Sequence, residues 1–127
     1  MKNPYQQILN EYQSTALKAR VEEASPHELI NLLFEGACSN ISKAQSFVQR
    51  KQIKEKGEHI GKAISIIEGL KTSLNPDLGG EIAINLKQLY EHIQTNLLQA
   101  NLKNDEQLLA HSNVLLSEIH QAWQEIQ

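Results

Sequence analysis

The sequence predicts an all-α protein: an antiparallel up-down four-helix bundle with a short N-terminal helix or arm. Three observations predict it. Apolar residues recur at three- and four-residue spacings in four long runs, the period of one helix face. The three prolines, Pro4, Pro26 and Pro76, all fall where such a run begins or ends. Sustained alternation and Asn-Gly or Asp-Gly pairs, the marks of strands and hairpins, are missing from the sequence. Short links between long helices favour antiparallel neighbours. A length of 127 residues suggests one domain, with the arm over residues 1–23 and the bundle over 24–127.

The arm starts near Pro4. Tyr5, Ile8, Leu9, Tyr12 and Ala16 recur at helical spacing up to Glu23, but the apolar face is thin, so this segment must dock on the bundle to be stable. The first long helix opens at "ASPHEL". Ser25 suits the N-cap, Pro26 the first helical position, and Glu28 completes a capping box. Its stripe is Leu29, Leu33, Ala37, Ile41, Ala44 and Val48, with Ile30, Phe34 and Cys38 as a second row beside it. A turn is expected within Gln49 to Ile53, although no glycine or proline marks it. The second run carries Ile60, Ala63, Ile64, Ile67, Leu70 and Leu74, and Pro76 ends it. The third carries Ile82, Leu86, Leu89, Ile93, Leu97 and Ala100. Asn104 or Asp105 caps the fourth, with Leu108, Leu115, Ile119, Ala122 and Ile126 on one face and Leu109, Leu116 and Trp123 on a neighbouring one.

Gly79 and Gly80 pose a choice between a phosphate-binding loop and a hinge. A phosphate loop follows a strand and has a lysine and a hydroxyl directly after its last glycine. Here a helical run precedes the pair and Glu81-Ile82 follows. Glu81 repels phosphate but suits the positive end of a helix, so the glycines read as a hinge that lets the chain reverse after Pro76.

Other chemistry is poorly supplied. Di-iron sites in helical bundles need Glu-x-x-His pairs. The residues three before the five histidines are Ala24, Lys56, Leu89, Leu108 and Ser117, none of them acidic. No two histidines stand four apart, so the helical zinc pattern fails as well. The single cysteine, Cys38, lies on an apolar row, where a thiol is a poor nucleophile, and it leaves no internal disulfide to form. Asp77 and Asp105 sit at helix boundaries, where capping explains them. The residues point to no catalytic group, no metal and no cofactor.

A net charge of −3 and 5% aromatic residues argue against nucleic acid as a partner. The basic stretch from Arg50 to Lys62 is interrupted by Glu55 and Glu58 and reads as a solvated loop and first turn. The N-terminus lacks the apolar core of a secretory signal, and no run approaches the roughly eighteen apolar residues of a membrane span. A cytoplasmic location without membrane insertion is the expectation.

What remains is surface. Several helices hold more apolar positions than one stripe needs: Ile30 and Phe34, Ile66, Ile84 and Tyr90, Leu98. A wide core-facing stripe explains such rows, and so does a groove that receives a partner helix. The same residues carry a family resemblance. "ASPHELINLLFEGA" (Ala24 to Ala37), "KGEHIGKAISIIEGLKTSL" (Lys56 to Leu74), "GGEIAINLKQLYEHI" (Gly79 to Ile93), Ala100-Asn101 and Ala122-Trp123 occur in an order that resembles the FliS family of flagellin-specific export chaperones. The resemblance runs from about Tyr12 to Trp123. Phe34 stands where the family often has tyrosine, His92 and Ile93 where a tyrosine and a methionine are common, and Asn75 where aspartate is frequent.

The resemblance implies an antiparallel helical bundle in the bacterial cytoplasm that binds the disordered C-terminal segment of unpolymerised flagellin. It implies that this segment folds into helices around the chaperone, which blocks premature assembly and prepares the subunit for the type III export gate, whose cytoplasmic domain is a further possible partner. Neither catalysis nor ATP is implied. In the family a tyrosine-bearing N-terminal arm lies over part of the binding surface; Tyr5 or Tyr12 takes that part here, with Tyr12 favoured by its distance from Ala24-Ser25-Pro26. Ile8 and Tyr12 on the arm, with Ile30, Phe34, Leu86, Tyr90 and Ile93 as edge rows, are the expected contacts. The alternative is a general adaptor that docks a preformed amphipathic helix.

Overall fold

A computed structural model describes residues 15–126 of the chain. Every regular element among them is a helix: α1 (Thr15–Glu23), α2 (Pro26–Gln49), α3 (Ile53–Thr72), α4 (Pro76–Lys103) and α5 (Glu106–Glu125). Ile8 and Tyr12 lie outside the described residues.

Each boundary has a chemical cause. Ser25 Oγ accepts from the Glu28 amide at 3.1 Å and opens α2. The reciprocal half of the expected capping box is replaced: the Glu28 carboxylate accepts from Arg20 at 2.8 Å and from Asn31 at 3.3 Å. α2 ends with Lys51 in the left-handed region at φ 59°. The Gln52 amide donates to Phe47 O at 2.9 Å and the Lys51 amide to Val48 O at 3.0 Å, the bond pair of a Schellman ending. A lysine fills the position that glycine usually holds, which is why no glycine announced the turn. At the far end, the two candidate caps divide the work. Asn104 closes α4 with φ 52° and ψ 44°, and Asp105 Oδ1 opens α5 by accepting from the Leu108 amide at 3.0 Å.

Lys56 departs from the reading of its stretch as solvated. It is buried, and its Nζ donates to Asn101 O at 2.8 Å and Asn104 Oδ1 at 2.6 Å. An ammonium at the last carbonyls of α4 satisfies orphan acceptors and opposes the negative end of the helix dipole.

α2 packs against α3 and α5, and α4 packs against the same two helices. Partner residues run in opposite directions along the paired helices. Along α2 and α5 they are His27 with Trp123, Phe34 with His120, Cys38 with Ser117, and Ser42 with Asn113. Along α3 and α4 they are Lys56 with Asn101, Ile64 with Gln94, and Lys71 with Glu91. The core between them holds Leu33, Ala37, Ile41 and Ala44 of α2, Ile60, Ala63, Ile67 and Leu70 of α3, Tyr90, Ile93, Leu97 and Ala100 of α4, and Leu109 and Leu116 of α5.

Two faces differ from expectation. Ile82 is 71% exposed, and Ala83 faces inward in its place. Both residues satisfy the spacing to Leu86; rotation of the helix about its axis decides between them, and spacing does not contain that angle. On α5, Leu109, Ser112 and Leu116 form the buried row, while Leu108, Leu115 and Ile119 are half-buried and Ala122 and Ile126 are exposed.

The short α1, nine residues long, cannot stand alone in water. Leu17 packs against the core, and the Arg20 guanidinium spans Glu28 at 2.8 Å and Glu35 at 3.0 Å on α2. These side chains are about half exposed, so the clamp adds little net stability and weakens with salt.

The glycine pair is a hinge inside α4. Gly80 sits at φ 54° and ψ −127°, a conformation closed to other residues without strain, and a Cβ on Gly79 would lie 2.8 Å from the Ala83 Cβ. Gly80→Ala is expected to destabilise by about 1–3 kcal/mol. Gly61, mid-helix in α3, has nothing within 4 Å of its missing Cβ, so Gly61→Ala is expected to stabilise by up to about 1 kcal/mol. Urea unfolding midpoints of the two variants, moving in opposite directions, check both.

Candidate functional site

The sequence-predicted contact residues fall into two environments. Phe34, Tyr90 and Ile93 stand in the core, at 1%, 3% and 0% exposure, rather than along an edge. Phe34 stacks on His120 with ring centroids 4.9 Å apart and lies tilted against Tyr90 at 6.5 Å. Ile30 and Leu86 are half-buried and pack against that core from its margin. Spacing put Ile30, Phe34 and Tyr90 on surplus rows and Leu86 and Ile93 on the main stripe of their helix; Phe34, Tyr90 and Ile93 all point at the centre.

The aromatic end is tied polarly as well. His27 stacks on Trp123 at 4.6 Å, its Nε2 lies 3.0 Å from Trp123 O, and Trp123 Nε1 donates to His27 O at 3.1 Å. Burial pushes the Tyr90 hydroxyl well above its ordinary range and the Cys38 thiol upward, the latter weakly opposed by Ser117. A thiol so placed is a poor nucleophile. His120 Nε2 is buried without a partner among the described residues. Burial lowers the His120 pKa, opposed by the charges of Glu35 and Glu28 on α2. No group of three His, Cys, Asp or Glu side chains among the described residues is placed to hold a metal ion. No helix there is long and apolar enough to cross a membrane.

The exposed apolar surface lies elsewhere. Along the outer side of α4, Ile84 and Leu98 are each 53% exposed and Leu102 is 76% exposed. The α3–α4 register, fixed by Lys56 with Asn101 and Ile64 with Gln94, sets Leu98 level with His59 and Ile60 of α3. Ile53, also exposed, opens α3 at the same end as Leu102. Leu98 and Leu102 thus form an exposed apolar pair one turn apart, and Ile84 stands separately on the same side of α4, beyond the exposed Gln88, Glu91 and Thr95. Sequence reasoning noted Ile84 and Leu98 as surplus but left them, with Leu102, out of the contact set.

This arrangement can bury a partner's apolar side chains and offers no reactive group. The sequence matches the family of the flagellar protein FliS over residues 8–127. The chain belongs to the FliS family. It is 43% identical over 115 residues to the flagellar secretion chaperone FliSB of Pseudomonas aeruginosa, covering 91% of each chain. Identity to the flagellar secretion chaperone FliS of Salmonella typhimurium is 45% over 116 residues, 91% of this chain and 86% of that one. Identity to the Vibrio cholerae FliS is 36% over 118 residues, 93% and 87% of the two chains. FliS is a family of chaperones of flagellum biogenesis and not an enzyme family, and exposed apolar surface suits it.

The half-buried His120, with its Nε2 shielded from water, gives the fold a pH response. Its folded-state pKa lies below the ordinary 6.5, so the unfolded chain binds more protons in the window beneath that value. Its contribution is whole above pH 6.5 and is lost as pH falls towards the folded-state value. Unfolding midpoints compared between about pH 7.5 and 5.5 are expected to fall for the native protein and to fall less for His120→Gln.

Proposed function

We propose that the protein is a cytoplasmic export chaperone that binds the disordered C-terminal segment of monomeric flagellin, prevents premature polymerisation and supports type III flagellar export. Membership of the FliS family carries the reading, and the relatives' role as flagellar secretion chaperones supports it. The four long helices serve as an up-down antiparallel bundle, consistent with their packing in a closed cycle. The cytoplasmic domain of the flagellar export gate is a further partner in this reading.

The physics of such a partner matches the surface. Ordering a disordered segment costs about 2–5 kcal/mol, offset by burial of roughly 1,000–3,000 Å². Ile84, Leu98 and Leu102 are exposed and not needed by the core. In this reading Ile8 and Tyr12 of the arm and Ile30 and Leu86 at the helix margins touch the partner as well. Phe34, Tyr90 and Ile93 hold the shape of the surface from beneath.

Isothermal titration with a flagellin C-terminal peptide is expected to show one-to-one binding with favourable enthalpy and a negative heat-capacity change. Circular dichroism is expected to show helix gained on mixing. A peptide already helical when free would favour a general helix adaptor. Undiminished binding of flagellin that lacks its C-terminal segment would sink the proposal. Leu98→Glu and Leu102→Glu are each expected to weaken peptide binding by at least about tenfold, with the helical signal of the free protein unchanged.

A further inference from the structure

We infer that the end of the molecule where α3 leads into α4 is a pocket for an apolar side chain that has a carboxylate one helical turn away on the same partner segment. The inference rests on the proposed capture of a flagellin segment and names what one stretch of that segment must carry.

A cavity of about 450 Å³ opens there, lined by Lys71, Thr72, Leu74, Ala83, Ile84 and Lys87. Its apolar part is continuous with the core: Ala83 is buried, Leu74 packs against the core, and Ile84 stands half out of the surface. Both charged side chains in the lining are lysines, in a chain whose net charge is −3. Lys71 is held by Glu68 at 3.0 Å and by Glu91 at 3.5 Å. Lys87 makes no contact ion pair among the described residues, and its charge is felt by Glu68 nearby. Lys87 stands three and four residues beyond Ile84 and Ala83, so cation and apolar wall share one face of α4. A partner helix with an apolar residue and a carboxylate at the same separation meets both at once. A segment with a basic residue in that place would set like charges against Lys71 and Lys87.

The pocket also gives the glycine pair a consequence beyond the turn. A side chain on Gly79 would collide with Ala83, which is a wall of the cavity, and the Gly80 kink sets where α4 resumes. The hinge therefore keeps the pocket's wall in place.

The test is a double-mutant cycle with the flagellin C-terminal peptide. Each Asp and Glu of the peptide is changed in turn to its amide, and every version is titrated against the native protein, Lys87→Gln and Lys87→Glu. Lys87→Gln is expected to weaken the unaltered peptide by about threefold and Lys87→Glu by about tenfold. One acid-to-amide change is expected to weaken binding to the native protein but not to Lys87→Gln, and raised salt is expected to shrink that difference. Tight binding to the native protein with no loss in Lys87→Glu overturns the pocket and leaves the chaperone reading intact. A loss that no single carboxylate shares overturns it likewise. A peptide that fails to bind the native protein overturns both.

Discussion

Four alanines set how closely the long helices approach. Ala37 and Ala44 of α2, Ala63 of α3 and Ala100 of α4 are all fully buried in the common core. They alternate with Leu33, Ile41, Ile60, Ile67 and Leu97, so large side chains of one helix find room beside small ones of another. Close packing of this kind tolerates little error in volume. It also fixes the rotation of each helix, and the rest of the structure follows from that rotation. With Ala83, Tyr90, Ile93, Leu97 and Ala100 turned inward, Ile84, Leu98 and Leu102 must face out.

The polar ends depend on the same seam. Lys56 can cap α4 only because the α3–α4 register brings it to Asn101 and Asn104. His120 loses its water because α5 lays it on Phe34. Asn40 is fully buried on α2 and meets His59 of α3 at 2.8 Å, a polar contact that costs less than an unpaired amide would. These interactions add specificity to a structure whose stability comes mainly from apolar burial.

For a protein of this family, a complete core and a surplus of apolar surface have separate uses. The core keeps the free protein folded, with each fully buried leucine or isoleucine contributing roughly 1.5–3 kcal/mol. The surplus is left in contact with water, and in the proposed role a partner covers it. Among the described residues, the short α1 is held by Leu17 against the core and by the exposed Arg20 clamp to Glu28 and Glu35.

Much was legible in the sequence. The helical period of Leu29 to Val48 and of Ile60 to Leu74, the Ser25 cap and the stop before Pro76 are local physics, written in adjacent residues. So is the hinge at Gly79-Gly80, since only glycine reaches the backbone angles of Gly80 at no cost. The ordered motifs from Ala24 to Trp123 carried the family. Other features needed the fold. The α2–α3 turn was masked because Lys51 adopts a left-handed conformation that its side chain does not favour. Lys56 looked like one cation among several until tertiary contact buried it. Ile82 and Ala83 were interchangeable by spacing, because a period records the separation of residues along a helix face and leaves open where that face points. That direction is set by the other three helices, and with it the division of apolar residues between the core and the solvent-facing surface.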